Sequence, residues 1–225
     1  MEGEPGLRIF AAGSLRPAFA VLAGEEADVR VDYANARDLA GRIVAREPAD
    51  VFASASPKDP LELHGAGLVE APRSFASNRL VVAVRATSPA EDVEVLAAPG
   101  IRVVIEVAGI PLGDYTRELL ASLGDAFSER VLANLVAQEQ TVDGVAARLV
   151  AGAADAGILY ATDVASRPGL RGIELPPGTS VEVTCSVCVV TASVVRTRAA
   201  AWVDLLTGPA GQEVLRRAGF GPAPA

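Results

Sequence analysis

Four short stretches of this chain could hold a small anion. They are Ala12-Gly13-Ser14 before Leu15, Tyr33-Ala34-Asn35-Ala36 before Arg37, Ile110-Pro111-Leu112-Gly113 before Asp114, and Gln140-Thr141-Val142 before Asp143. In each, a helical pattern begins behind small or capping residues. A helix start leaves backbone N–H groups unpaired and carries the positive end of the helix dipole, which makes it a seat for an oxyanion. Gly13 and Gly113 would let the backbone approach a ligand closely. The simpler alternative is that Ser14, Asn35 and Thr141 are ordinary N-caps, of which any α/β protein has several. Two such junctions in each half of the chain favour the binding site over four unrelated caps.

Other chemistries find little support. "AAGSLRP" lacks the lysine of a P-loop, and no G-x-G-x-x-G follows a strand. No G-x-S-x-G elbow surrounds a serine, and His64, the single histidine, lies in "LELHGAGL" on a predicted helix with no serine partner. The acidic residues show no metal-ligand spacing. Cys185 and Cys188 form a C-x-x-C pair, which can signal redox chemistry or half of a zinc site. Here valines flank the pair as in a buried strand, where positions three apart face opposite ways, so two buried thiols are expected. The reading is a non-enzyme without a cofactor.

These junctions need a scaffold, and the chain alternates strand and helix. Strands are predicted at "LRIFAA", "DVRVDYA", "DVFASA", "RLVVAVR", "IRVVIEV", "AGILYA" and "TCSVCVVTA". Helices are predicted at residues 15–22, 37–46, 59–69, 114–123, 127–135, 142–151, 199–206 and 211–218. Such alternation means an α/β protein with largely parallel sheets, which bind ligands at the carboxyl ends of strands. The two series divide into lobe 1, residues 7–84 with 187–221, and lobe 2, residues 85–186, joined by two crossovers with the site in the cleft. The 225 residues are half apolar and carry a net charge of −8, which opposes nucleic acid or an anionic membrane as main partner. No stretch approaches the ~18 apolar residues of a bilayer span. The start, "MEGEPGLRIF", has neither a basic nor an apolar leader region, as in a cytosolic protein or one whose signal has been removed.

In order and spacing, "FAAGSL", "LAGRIVAREPADVFASA", "NRLVVAV", "IPLGDYTRELLASLG", "TVDGVAARLVAGAADAGILYATDV" and "GPAGQEVLRRAGF" resemble the molybdate-binding proteins of ABC transporters. That family is a branch of the two-lobed periplasmic-type binding proteins, and the resemblance runs from about Leu7 to Phe220. It implies a type II fold, with each lobe a mixed sheet flanked by helices. It also implies that neutral donors hold molybdate or tungstate. Ser14 matches the first-lobe serine, Leu112 and Val142 fall where second-lobe N–H groups donate, and Tyr160 matches a ligand-binding tyrosine. Ala36 replaces a second serine, so its N–H, the Asn35 amide or the Arg37 charge would have to compensate. The implied setting is an extracytoplasmic monomer, its signal segment gone, that serves a membrane permease. A cytosolic sensor with the same module, or a binding protein for another small anion, is the alternative.

Overall fold

The structure, a computed structural model, describes residues 6–24, 28–179 and 181–224. The chain divides into two compact units: Met1–Ser77 with Thr184–Ala225, and Asn78–Val183.

The first unit starts with strand β1 (Leu7–Ala12), a 3-10 turn (Gly13–Leu15) and helix α1 (Arg16–Ala23). It continues through β2 (Val29–Ala34), α2 (Ala36–Val44), β3 (Val51–Ser54), α3 (Lys58–Gly65) and β4 (Arg73–Asn78). After the second unit come β10 (Val183–Val189), α8 (Arg196–Thr207) and α9 (Pro209–Arg217). Its sheet has the order β2-β1-β3-β10-β4, with β1 parallel to β2 and β3, and β10 antiparallel to β3. β3 is buried along its whole length, as a strand covered on both faces must be. Phe19 of α1 packs against Phe75 at 6.0 Å and against Trp202 at 6.1 Å between ring centres.

The second unit contains β5 (Leu80–Arg85), a 3-10 turn (Val93–Ala97), β6 (Val103–Glu106), α4 (Pro111–Ser122) and α5 (Asp125–Ala133). β7 (Leu135–Glu139), α6 (Val142–Val150), β8 (Ala156–Tyr160), α7 (Ala161–Ala165) and β9 (Leu170–Ile173) complete it. The sheet order is β7-β6-β8-β5-β9, with β6 parallel to β7 and β8, and β5 antiparallel to β8 and β9.

Three expectations change. β5, assigned to lobe 1 as residues up to 84, pairs inside the second sheet, so the division falls after Ser77 and before Thr184 rather than at 84 and 187. An apolar strand carries no mark of its sheet, and pairing partners alone decide it. β4, β7 and β9 were not foreseen. All three lie at sheet edges, where a strand buries too little to show an apolar run. Helix α3 stops at Gly65 rather than continuing to 69. There Gly67 takes φ 71°, Leu68 N–H donates to the Leu63 carbonyl, and Gly67 N–H to that of His64, which closes the helix with a left-handed cap. The His64 ring rests on the Val69 carbonyl at 3.1 Å and has no catalytic setting.

Cys185 and Cys188 are free and buried on interior strand β10. Burial pushes both thiols up to about 12, so both stay protonated and weakly nucleophilic at neutral pH.

Candidate anion-binding site

In the first unit, Ala12 of β1 lies opposite Ala34 of β2 in parallel register. The Ser14 turn and the start of α2 therefore emerge side by side from the carboxyl edge of the sheet. Ser14 is 2% exposed and sits inside the 3-10 turn. It is not a cap: neither the turn nor α1 carries a side-chain cap. Its oxygen therefore accepts no cap hydrogen bond from the helix start. Two further serines missed in the sequence share this edge. Ser54 Oγ accepts from Ser56 N–H at 3.1 Å, and Ser56 Oγ from Lys58 N–H at 3.2 Å.

Asn35 is the N-cap of α2, as in the simpler alternative. Its Oδ1 accepts from Asp38 N–H at 2.8 Å and its Nδ2 donates to the Asp38 carboxylate at 2.6 Å. The N-cap of α2 thus engages Oδ1 and one of the two Nδ2 hydrogens of Asn35 with Asp38. What this turn offers is main-chain N–H, including that of Ala36, which is buried. Arg37 is also engaged, 3.4 Å from Asp59 and 3.3 Å from Glu62. Arg16 instead stacks over Tyr33 at 4.2 Å, and the Tyr33 hydroxyl is buried with no hydrogen-bond partner among the described residues.

In the second unit, parallel β6, β7 and β8 deliver α4, α6 and α7 to one edge, with Glu106 opposite Glu139. Leu112, Val142 and Tyr160 all stand there. Leu112 and Tyr160 are 1% exposed, and Tyr160 is the N-cap residue of α7. Val142 is half-buried at the first position of α6, behind Thr141, whose hydroxyl accepts from Gly144 N–H at 3.1 Å. Thr141 is thus the ordinary cap of the simpler alternative. Arg167 ties α6 to α7 by pairing with Asp143 and, at 3.2 Å, with Asp163.

Leu112 differs from expectation. The N–H groups of Leu112 and Gly113 face the carboxyl group of Glu106, whose Oε2 accepts from Gly113 at 3.2 Å. Glu106 is 1% exposed, and burial raises its pKa to about 8, with the charge of Asp163 adding to the rise and the two N–H groups opposing it. Asp163 is also 1% exposed; burial lifts it to about 7 against the pull of Arg167. Its Oδ2 is buried without a hydrogen-bond partner among the described residues. Sequence reading missed both acids. The available signal was a glutamate ending the otherwise apolar run "VVIE" directly before a helix start.

Gly113 proves to be a packing glycine. A Cβ there would collide with the Val107 carbonyl and sit 2.9 Å from that of Glu106. At Gly13 a Cβ would have no neighbour within 4 Å, so only Gly13 leaves room beside its turn.

Among the described residues, no cluster could hold a metal ion and no helix is long and apolar enough to cross a membrane. A family model described as bacterial extracellular solute-binding protein matches residues 7–221. The chain is 28% identical over 230 residues to the molybdate-binding protein ModA of Mycobacterium tuberculosis H37Rv, covering 97% of this chain and 85% of that protein. Its fold matches the periplasmic molybdate-binding protein of Azotobacter vinelandii with a TM-score of 0.84 at 22% identity, covering 95% and 98% of the two chains. The sulfate-binding protein SubI of M. tuberculosis matches with a TM-score of 0.85 at 19% identity, covering 97% and 87%.

Proposed function

The chain belongs to the bacterial extracellular solute-binding protein family, a non-enzymatic arm of transport, and from that premise we propose that it binds molybdate or tungstate and delivers it to an ABC transporter permease. The observation that carries the ligand is the similarity to a molybdate-binding protein over 97% of the chain. The proposed donors are the Ser14 hydroxyl and the Ala36 N–H in the first unit, and the Leu112 and Val142 N–H groups with the Tyr160 hydroxyl in the second. No cofactor takes part, and the protein acts as an extracytoplasmic monomer.

Fixed, uncharged donors explain how an acidic protein can take a dianion. N–H dipoles at short range replace hydration, while distant carboxylates are screened within about 8 Å. Such donors also disfavour an oxyanion carrying its own proton, because its O–H would meet a donor. Molybdate and tungstate are nearly equal in size and should bind alike, whereas smaller sulfate leaves some donors out of reach. Titration calorimetry with molybdate, tungstate, sulfate and phosphate tests this. Heat from the first two alone is the expected result; binding of another anion, with neither of these, removes the ligand.

A further inference from the structure

The two buried carboxyl groups of the second unit have no part in a site made only of neutral donors. Glu106 points its carboxyl at the first-turn N–H groups of Leu112 and Gly113 in α4, of which the proposed function assigns that of Leu112 to the anion. Asp163 lies in the first turn of α7, and its negative charge adds to the upward push on Glu106.

The surrounding charges give Asp163 one shared guanidinium and Glu106 none among the described residues. On α4, Arg117 donates to the main-chain carbonyls of Glu106 at 3.1 Å and Gly113 at 2.7 Å and to Gln138 of β7 at 2.9 Å, while Asp114 adds negative charge. From β7, Glu139 is occupied by Arg148 of α6. From α7, Arg167 reaches one oxygen of Asp163 and is shared with Asp143 of α6. No cation is paired with the Glu106 carboxyl among the described residues. Two desolvated acids therefore border donors that a dianion would need.

We propose that oxyanion binding is coupled to proton uptake by the Glu106–Asp163 pair, with Glu106 the positioning residue that holds the α4 donors until the anion takes them. An arriving anion competes for the Gly113 and Leu112 N–H groups and adds negative charge beside both carboxyls. Each change favours the protonated pair, so the pair answers binding by taking a proton from solvent. The carboxyl pKa values near neutrality make the exchange available at ordinary pH.

The inference rests on anion binding at this site, and its sign follows from linkage. The protonated protein binds more tightly, so affinity is highest at low pH and falls as pH rises through the free-state values. Calorimetry with molybdate in buffers of different ionisation heat, from about pH 7 to about pH 9.5, counts the protons exchanged. The expected result is uptake of about half to one proton per anion near pH 8, and about tenfold weaker binding at the alkaline end. Glu106→Gln keeps an acceptor for Gly113 and should erase most of both effects while still binding; Asp163→Asn should reduce what remains. A purely structural Glu106 would lower the melting temperature and leave the proton count intact, which would overturn the proposal. If the variants fail to fold, the wild-type count still decides. Binding with no proton exchange overturns this inference alone; no binding of molybdate at any pH overturns the proposed function with it.

Discussion

The Ser14 turn in the first unit and the α4 turn in the other unit share one sequence character, each a glycine-bearing step from strand to helix. Their surroundings differ. At the Ser14 turn, a buried serine caps nothing, a Cβ on Gly13 would have no neighbour within 4 Å, and the cation Arg16 two residues on stacks over Tyr33. At the α4 turn, Glu106 already occupies the N–H groups, Gly113 is wedged against backbone, and another acid lies close by. Under the proposed function, the first turn would meet an anion with a serine that caps no helix. The other holds an internal carboxyl in the place an anion would claim. A helix start offers donors wherever it occurs; whether they are free depends on what the preceding strand puts beside them.

The largest expected effect tests the acidic side of this contrast. Glu106 keeps its proton up to about pH 8 in the folded protein but releases it near 4.5 when unfolded. Stability contributed by the neutral form is complete below pH 4.5, falls as pH rises to 8, and is level above it. The drop should be on the order of 5 kcal/mol. Denaturant titrations across this range should show the slope in the native protein and a flatter one in Glu106→Gln. An equal slope in both would mean that the acid is ionised throughout.

The glycines provide the next comparison. Gly113→Ala should cost about 3 kcal/mol, because its Cβ meets fixed backbone. Gly13→Ala should change stability by less than about 0.5 kcal/mol. Thermal melts of the two variants measure the difference, and equal losses would place the two turns in the same environment.

Smaller effects concern affinity alone. Ser14→Ala and Tyr160→Phe each remove one donor to a charged group, worth about 1.5–3 kcal/mol, or roughly tenfold to a hundredfold in Kd. The melting temperature of the free protein should hardly move. Unchanged Kd in both variants would put the anion elsewhere.

Much of the scaffold was legible because buried strands and amphipathic helices write their period into the sequence. "LRIFAA", "DVFASA" and "AGILYA" could be placed from composition, since interior strands are largely apolar. "LVAQE" and "LRGI" could not, because edge strands are half solvated and resemble loops or helix ends. Of the proposed donors, Ser14, Ala36, Leu112 and Val142 were singled out by asking where helices begin, whereas Tyr160 was named only by the resemblance to the molybdate-binding family. The engaged state of Asn35 was not legible, since an asparagine before a helix can cap it or serve a ligand with the same letters. Glu106 escaped because a lone acid at the end of a strand is usually solvated.

The sequence by itself determined the alternation of strands and helices, the positions of the helix starts and the overall acidity. These are local or additive properties, written in propensity, periodicity and charge. Tertiary structure decided which sheet received β5, which donors were already taken, and which carboxyls lost their water. Those outcomes depend on residues distant in the chain sharing one low-dielectric space, where pairing and burial set both geometry and protonation.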